Sequence, residues 1–320
     1  MVSIITVNYN QTDYTCALLD SIRRQDFRDI EVFVVDNASR ENPSAIISKQ
    51  YPEVHVIRSE VNLGFAGGNN LAVHQTQGGY LFFVNNDAEI TEGCIAQLLS
   101  LFKEQATVGI ASPLICYFPE KENVTATKEM ESRNNIPDYR ATHPRPDLIQ
   151  YAGMPRVHPL TARSNMDGNH EYDLGQYALP FQTGYAHGAA MMVRREVLEQ
   201  VGPMNDDFFL YYEEVDWCER IHKAGWEVWV EPRAKVYHKE SATLQAMSSL
   251  KTYYLHRNRI WLMRRNYGGW RLAVFYAFFL LVSVPKNALL YLAKGDLKHL
   301  AAFFRAISWH FYRVKTNHSI

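Results

Sequence analysis

The sequence predicts an α/β protein with a doubly wound, mixed sheet flanked by helices and a basic, aromatic helical tail. Three observations carry this reading. Strand-like runs alternate with helical periods through the first 115 residues. The strand runs are continuously apolar, as expected of strands buried on both faces. Polar residues gather just beyond several strand ends, where open α/β sheets bind their ligands.

The chain opens with the strand "VSIITVN" and the helix "DYTCALLDSIRRQ", followed by the strand "IEVFVVD" and a polar helix near 41–50. "VHVIRS" is the third strand; a Gly-rich turn leads from it into the helix "NNLAVHQT". The strand "YLFFVNND", a helix at 93–105 and the strand "VGIASPLI" complete this half. Residues 117–182, rich in Pro, Asn, Arg and His, show no period and are expected to form a long insertion or irregular lobe. Regular signals resume at "AAMMVRREVLEQVG", then "FFLYYEEVDWCER", "GWEVWVEP" and "KVYHKES".

With 320 residues, 47% of them hydrophobic, the chain can bury a large core, which excludes a disordered class. Its four cysteines lie far apart without a CxxC pair, and no secretory pattern precedes "VSIITVNYN". The expectation is a reducing, cytoplasmic compartment. The glycosylation-type strings at Asn37 and Asn123 are accordingly read as chance.

Charge is unevenly spread: residues 251–320 hold 12 Lys and Arg against one acid, Asp296, whereas residues 1–250 hold 21 basic and 33 acidic side chains. In that tail Arg257, Arg259, Arg264, Arg265 and Arg271 are interleaved with Trp261, Trp270, Phe275, Phe278 and Phe279. Such a face suits an anionic membrane surface. Nucleic acid is the competing partner, and the apolar run Leu272–Val284 favours lipid over it. The run meets Pro285 short of the roughly 20 residues that span a bilayer, so helices lying on the membrane are expected. Extension through "NALLYLA" to Ala293 keeps a true span open.

Several strings carry chemistry. "NLGFAGGNN" sets three glycines before a helix, an arrangement whose backbone N–H groups can meet a phosphate. Asn62, Gly64, Gly67 and Asn69 are its candidate donor-binding residues. Asn8, Asn10 and Asp36, with Asn37, end the first two strands; Asn85, Asn86 and Asp87 end the fourth. One aspartate is enough to hold a hard cation whose other ligands are water and phosphate. "FFLYYEEVDWCER" presses Glu213, Glu214 and Asp216 against aromatic surface, which is either a solvated helix start or a site of shifted acidity. Asp216 and Arg220, one helical turn apart, are expected to pair.

At this point the chain resembles the family 2 glycosyltransferases of the GT-A fold, especially the bacterial rhamnosyltransferase-like branch. The strings are "VSIITVNYN", "VVDNAS", "NLGFAGGNN", "VNNDAEI", "GAAMMVRR", "FFLYYEEVDWCER", "AGWEVWVEP" and "VYHKES", in the family's order over roughly residues 1–240, with "YYLHRNRIWLMRRNY" also similar. The resemblance implies inverting sugar transfer from a nucleotide diphosphate donor, first L-rhamnose from dTDP-rhamnose, with UDP-galactofuranose or a UDP-N-acetylhexosamine as alternatives. It implies that Asp36 contacts the donor's base or ribose. Asn85 and Asp87 occupy the family's Asp-x-Asp position, so Asp87 binds Mg²⁺ or Mn²⁺ and His238 can complete the metal shell.

Glu214 matches the family's general base, with Glu213 as its neighbour; Glu stands where the family usually has Asp, which leaves the choice between the two open. Gly188 and His187 match the acceptor-side strand. The implied organisation is a nucleotide-sugar half at 1–115, an acceptor-binding half at 116–245 and a membrane-associating helical region at 246–320. The implied acceptor is a lipid-linked or polysaccharide hydroxyl at the inner face of the cell membrane. A nucleotidyltransferase shares this sheet, but its Gly- and Arg-rich loop belongs after the first strand, where this chain reads "NYNQTDY". A catalytically silent membrane-binding scaffold is the rival outside enzymes.

Overall fold

The computed structural model describes residues 1–119, 146–239 and 248–312. A mixed sheet runs through them, built of β1 (Val2–Asn8), β2 (Ile30–Asn37), β3 (Val54–Ser59), β4 (Tyr80–Val84), β5 (Ala88–Ile90), β6 (Val108–Tyr117), β7 (Ile149–Tyr151), β8 (Phe181–Thr183), β9 (Ala190–Arg194) and β10 (Glu227–His238). The main strand order is β3-β2-β1-β4-β9-β6-β10-β5, with β7 beside β6 and β8 beside β10. β1 lies parallel to β2 and β4, and β2 parallel to β3, which is the expected parallel half. β9 enters antiparallel between β4 and β6 and joins the two halves into one sheet. The division expected at residue 115 therefore falls inside β6.

Helices α1 (Thr12–Arg23), α2 (Ser44–Gln50), α3 (Gly64–Val73), α4 (Cys94–Glu104), α5 (Arg195–Val201) and α6 (Glu213–Lys223) accompany these strands. Ile4, Ile5, Val34, Phe82, Phe83, Met191 and Met192 form part of the shared core. Each such side chain contributes about 1.5–3 kcal/mol when fully buried. α6 is anchored to β4 by Trp217, whose ring meets Phe83 edge-on at 5.5 Å while its Nε1 donates to the Gly202 carbonyl. Some of the aromatic surface beside the acidic cluster is thus ordinary core.

Three readings of the elements change. α3 begins at Gly64, so the glycines lie inside the helix rather than ahead of it. Gly68 explains why: a Cβ there would come within 3.0 Å of Val7, and its absence lets α3 lie close on β1. "GWEVWVEP" and "KVYHKES" form one strand, β10, with an irregularity between Glu231 and Lys235. The 117–182 stretch holds β7 and β8. Asn123, most of "NNIPDYRATHPRPD" and the 245/246 boundary lie outside the described residues.

The chain then forms α7 (Ser248–Asn266), α8 (Gly269–Phe278), a π-helical turn (Phe279–Ser283), α9 (Val284–Ala293) and α10 (Leu297–Tyr312). The apolar run that meets Pro285 lies in a helical stretch continuing from Gly269 to Ala293, the extension kept open by the sequence: 25 residues, long and apolar enough to cross a membrane. A proline removes one backbone donor and its ring crowds the carbonyl one turn back. The wide π turn just before Pro285 makes room, and Asn287 Nδ2 donates to the Ser283 carbonyl at 2.6 Å. Leu281 and Leu289 on this helix are 77% and 66% exposed, whereas Phe275 and Phe279 are buried in a small core with Ile260, Met263 and Phe303.

Part of the cationic face expected on the membrane is internal. Arg257 and Arg259 are buried, and Arg265 bonds to Asp216 at 3.1 Å. Arg259 Nε donates to the Thr161 carbonyl at 2.6 Å. Composition gave these side chains the charge of a lipid-facing patch, but a guanidinium also satisfies several carbonyls at once inside a protein. Arg271 and Trp270 do remain on the surface.

Candidate active site

The ends of β1 and β2 form a closed polar network. Asn8 Nδ2 donates to Asp36 Oδ1 and Ser39 Oγ, each at 3.2 Å, and Thr15 Oγ1 donates to Asn8 Oδ1 at 2.9 Å. Arg58 Nη1 meets Asp36 Oδ2 at 2.5 Å. Asn10 adopts a left-handed backbone (φ 57°), and its Oδ1 accepts from the Arg40 N–H at 2.8 Å. Asp36 is fully buried with both oxygens engaged, so in this conformation it has no surface to offer a donor. The partly exposed end of the network is the Arg58 guanidinium.

The glycine segment is likewise occupied. Leu63 N–H donates to Asn37 Oδ1, Gly64 N–H to Asn62 Oδ1 and Phe65 N–H to the Phe209 carbonyl, at 2.8, 2.9 and 2.7 Å. A Cβ on Gly64 would fall 2.2 Å from the Phe209 carbonyl oxygen, and its φ of +71° also favours glycine. Gly67 faces Leu63, where a Cβ would come within 2.9 Å, and the buried Asn69 donates to the Phe65 carbonyl. The expected free N–H groups are thus spent on helix closure and on the loop before α6. The segment's exposed polar residue is Asn62.

At the end of β4 the expected cation ligands do come together. His238 Nε2 lies 3.2 Å from Asp87 Oδ1, and Asn85 Nδ2 donates to the same nitrogen at 3.3 Å. Nδ1 of His238 faces Gln150 Oε1 at 2.9 Å, so Nε2 is the ring nitrogen turned toward Asp87. An imidazole nitrogen beside a carboxylate oxygen is a donor set that a divalent ion can use. Among the described residues no group of three His, Cys, Asp or Glu that could hold a metal is present, so any ion here would need water or phosphate oxygens as well. Asn86 turns away, donating to Thr15 Oγ1 at 3.2 Å.

The segment His187–Ala189 links this pair to the acidic helix. Asn85 N–H donates to the Ala189 carbonyl at 2.9 Å, and the His187 ring centroid lies 6.2 Å from that of His238. Burial, and then the neighbouring His238, push the His187 pKa down to about 3, so the ring stays neutral and Nδ1 accepts from the Ala189 N–H. On the other side, a Cβ built on Gly188 would lie 3.5 Å from Phe65 and 3.9 Å from the Glu214 carboxyl carbon. Gly188 therefore stands next to the Glu214 carboxyl, at van der Waals range of where a side chain would begin.

The two glutamates start α6 and diverge, as adjacent helical positions must. Glu213 is buried, and its Oε2 has no hydrogen-bond partner among the described residues. Burial, reinforced by Glu214, pushes its pKa well up. Burial also raises Glu214, to about 7. Asp216 takes no part: it pairs with Arg220 at 3.1 Å as expected, and with Arg265 and Asn266.

The structure thus brings the Asp87–His238 pair and Glu214, whose acidity burial weakens, to the neighbourhood of His187–Ala189. That arrangement can neutralise a departing phosphate at one end and accept a proton at the other. Sequence reasoning missed Gln150, Arg58 and Phe65, whose roles come from contacts across the sheet that leave no local pattern.

Comparison with known proteins identifies the family and the fold. The model of "Glycosyl transferase family 2" matches residues 3–202. The N-acetylglucosaminyl-diphospho-decaprenol L-rhamnosyltransferase of Mycobacterium tuberculosis is 24% identical over 281 residues, covering 84% of this chain and 86% of that protein. The low-salt glycan biosynthesis hexosyltransferase Agl10 of Haloferax volcanii is 27% identical over 225 residues; the match covers 69% of this chain but spans only 61% of that relative. Among solved structures, the mannosyltransferase of Pyrobaculum calidifontis in complex with GDP-Man and Mn²⁺ superposes with a TM-score of 0.55 at 17% identity, covering 98% of this chain and 87% of that one. The fold is that of the GT-A glycosyltransferases, and the chain belongs to glycosyl transferase family 2.

Proposed function

We propose that this protein transfers a sugar, with inversion, from a nucleotide diphosphate donor to a hydroxyl of a lipid-linked or polysaccharide acceptor. The observation that carries the proposal is that His238, which contacts Asp87, and Glu214 both neighbour the short segment His187–Ala189, through His187 and Gly188 respectively. In a single displacement the acceptor oxygen attacks the anomeric carbon on the face opposite the leaving diphosphate. Its proton must leave as the bond forms. Glu214 accepts it, and the raised pKa of that carboxylate matches a base working near neutrality. Gly188, with no side chain of its own, would let the acceptor approach Glu214, with neutral His187 beside it.

When bound, a divalent ion, Mg²⁺ or Mn²⁺, offsets the charge of the leaving diphosphate; Asp87 and His238 Nε2 would hold it. Asn85 and Gln150 orient His238. Asn62, Asn10 and Arg58 are the accessible polar groups for the nucleotide, while Asn8 and Asp36 brace Arg58 from behind. L-Rhamnose from dTDP-rhamnose is the proposed donor sugar, supported by the mycobacterial relative's name. UDP-galactofuranose and UDP-N-acetylhexosamines are the alternatives.

The exposed apolar face of Gly269–Ala293 supports membrane attachment, here assigned to the inner face of the cell membrane, where a lipid-linked acceptor is met. A screen of nucleotide sugars with a polyprenyl-diphosphate-linked acceptor and Mn²⁺ tests the reading. Release of dTDP from dTDP-rhamnose, abolished by chelation, is expected. Turnover restricted to a UDP-sugar would move the assignment to the alternatives, and turnover unaffected by chelation would contradict the role given to Asp87.

A further inference from the structure

Three successive features of the loop before α6 need an external hold. Phe209, Tyr211 and Tyr212 all take left-handed backbone conformations, with φ of 64°, 70° and 73°. Bulky side chains disfavour that region, so such a run persists only where the surroundings impose it. Tyr212, the residue that starts α6, makes no side-chain cap. Yet this loop sets where Glu213 and Glu214 point.

The hold comes from α7. Asn258 is fully buried, and its Nδ2 lies 2.9, 2.8 and 2.7 Å from the carbonyl oxygens of Phe208, Leu210 and Tyr211. The neighbouring Arg257 donates from Nη2 to the carbonyls of Asp207 and Phe208, each at 2.6 Å, and from Nε to Asn258 Oδ1 at 2.7 Å, which fixes the amide's orientation. Phe209 stacks on Tyr254 of the same helix at 5.1 Å, and its carbonyl accepts from Phe65 N–H. The two N–H groups of this amide thus lie within reach of three successive loop carbonyls, and the Phe208 carbonyl also accepts from the Leu210 N–H at 2.7 Å, closing a tight turn at Phe209.

We propose that Asn258, steadied by Arg257, is a positioning residue for Glu214: by gathering the 208–211 carbonyls it fixes the start of α6 so that Glu214 faces Gly188. The helix at 248–266 then belongs to the catalytic apparatus, not only to the membrane-associating region. The inference rests on Glu214 being the base.

Asn258→Asp keeps the side chain's shape but replaces the donor by an acceptor facing three carbonyls; Asn258→Ser removes most of the reach. In the full chain both variants are expected to lower kcat at least 30-fold. Affinity for the nucleoside diphosphate with Mn²⁺ should change less than threefold, and the pH midpoint of kcat should move from the wild-type value. Hydrogen exchange at residues 208–214 should accelerate at least tenfold while β1 and β4 keep their protection. Arg257→Lys, which retains charge but loses the fork, should show the same pattern more weakly and serves if the Asn258 variants do not fold. A kcat per folded molecule within threefold of wild type and an unmoved pH midpoint would overturn the proposal. If the wild type itself transfers no sugar, the functional reading fails, and unchanged exchange at 208–214 then overturns the positioning role independently.

Discussion

The ends of β1 and β2 and the loop that opens α6 both bury carboxylates, but they treat them in opposite ways. Asp36 is fully enclosed and balanced by Asn8 and Arg58. Glu213 and Glu214 are pressed against apolar surroundings with burial raising both pKa values, and one oxygen of Glu213 has no hydrogen-bond partner among the described residues. A satisfied network with a countercharge fixes shape; a buried carboxylate without one keeps a proton affinity that chemistry can use. The contrast separates scaffold from reactive group within one sheet.

The largest expected effect breaks the reactive side. Glu214→Gln should lower kcat by about 10³-fold or more while donor affinity stays within twofold, as steady-state kinetics and calorimetry can show. Glu213→Gln should cost less than tenfold, and the reverse ranking would move the base to Glu213. On the scaffold side, Arg58→Ala strands the Asp36 charge. It should destabilise the fold by about 2–4 kcal/mol in urea titrations, more than any loss it causes in turnover of the folded enzyme. Asp87→Ala should weaken Mn²⁺-dependent binding of nucleoside diphosphate by roughly 10–100-fold in calorimetry.

The smallest effect concerns pH. Glu214's folded pKa of about 7 lies above the ordinary carboxylate value, so protonation favours the folded state. Its contribution to stability is complete below about pH 4.5 and is lost as pH rises through about 7. Activity runs the other way and should rise through the same window. Glu214→Gln should accordingly unfold later than wild type at pH 8, by about 1–2 kcal/mol in urea melts, and show no gain at pH 4.

Much of this site was legible before any coordinates. Asp87 stands at a strand end that its own pattern marks, His238, Gly188 and Glu214 were named through the resemblance to the family, and the Asp216–Arg220 pair follows from helical spacing alone. The order of motifs gave the family. What stayed hidden depends on contacts between distant segments. Gly64 reads as a loop glycine, yet its neighbour across space is Phe209. Arg257 and Arg259 read as a lipid-facing patch, yet they serve carbonyls of loops about 50 and 100 residues earlier. Pro285 reads as a stop, and only the preceding π turn shows how the helix passes it. Charge, period and propensity are local; who satisfies a buried donor is not.

The central claim is that Asp87 and Glu214 act on one bound sugar from opposite sides. A crystal structure of Glu214→Gln with intact nucleotide diphosphate sugar and Mn²⁺ tests it most directly. The expected result places the ion on Asp87 and His238, with the anomeric carbon turned toward Gly188 and an acceptor-sized space of about 3–3.5 Å between it and the residue-214 side chain. A donor bound with its anomeric carbon directed away from Gly188, or an ion held without Asp87, would contradict the account.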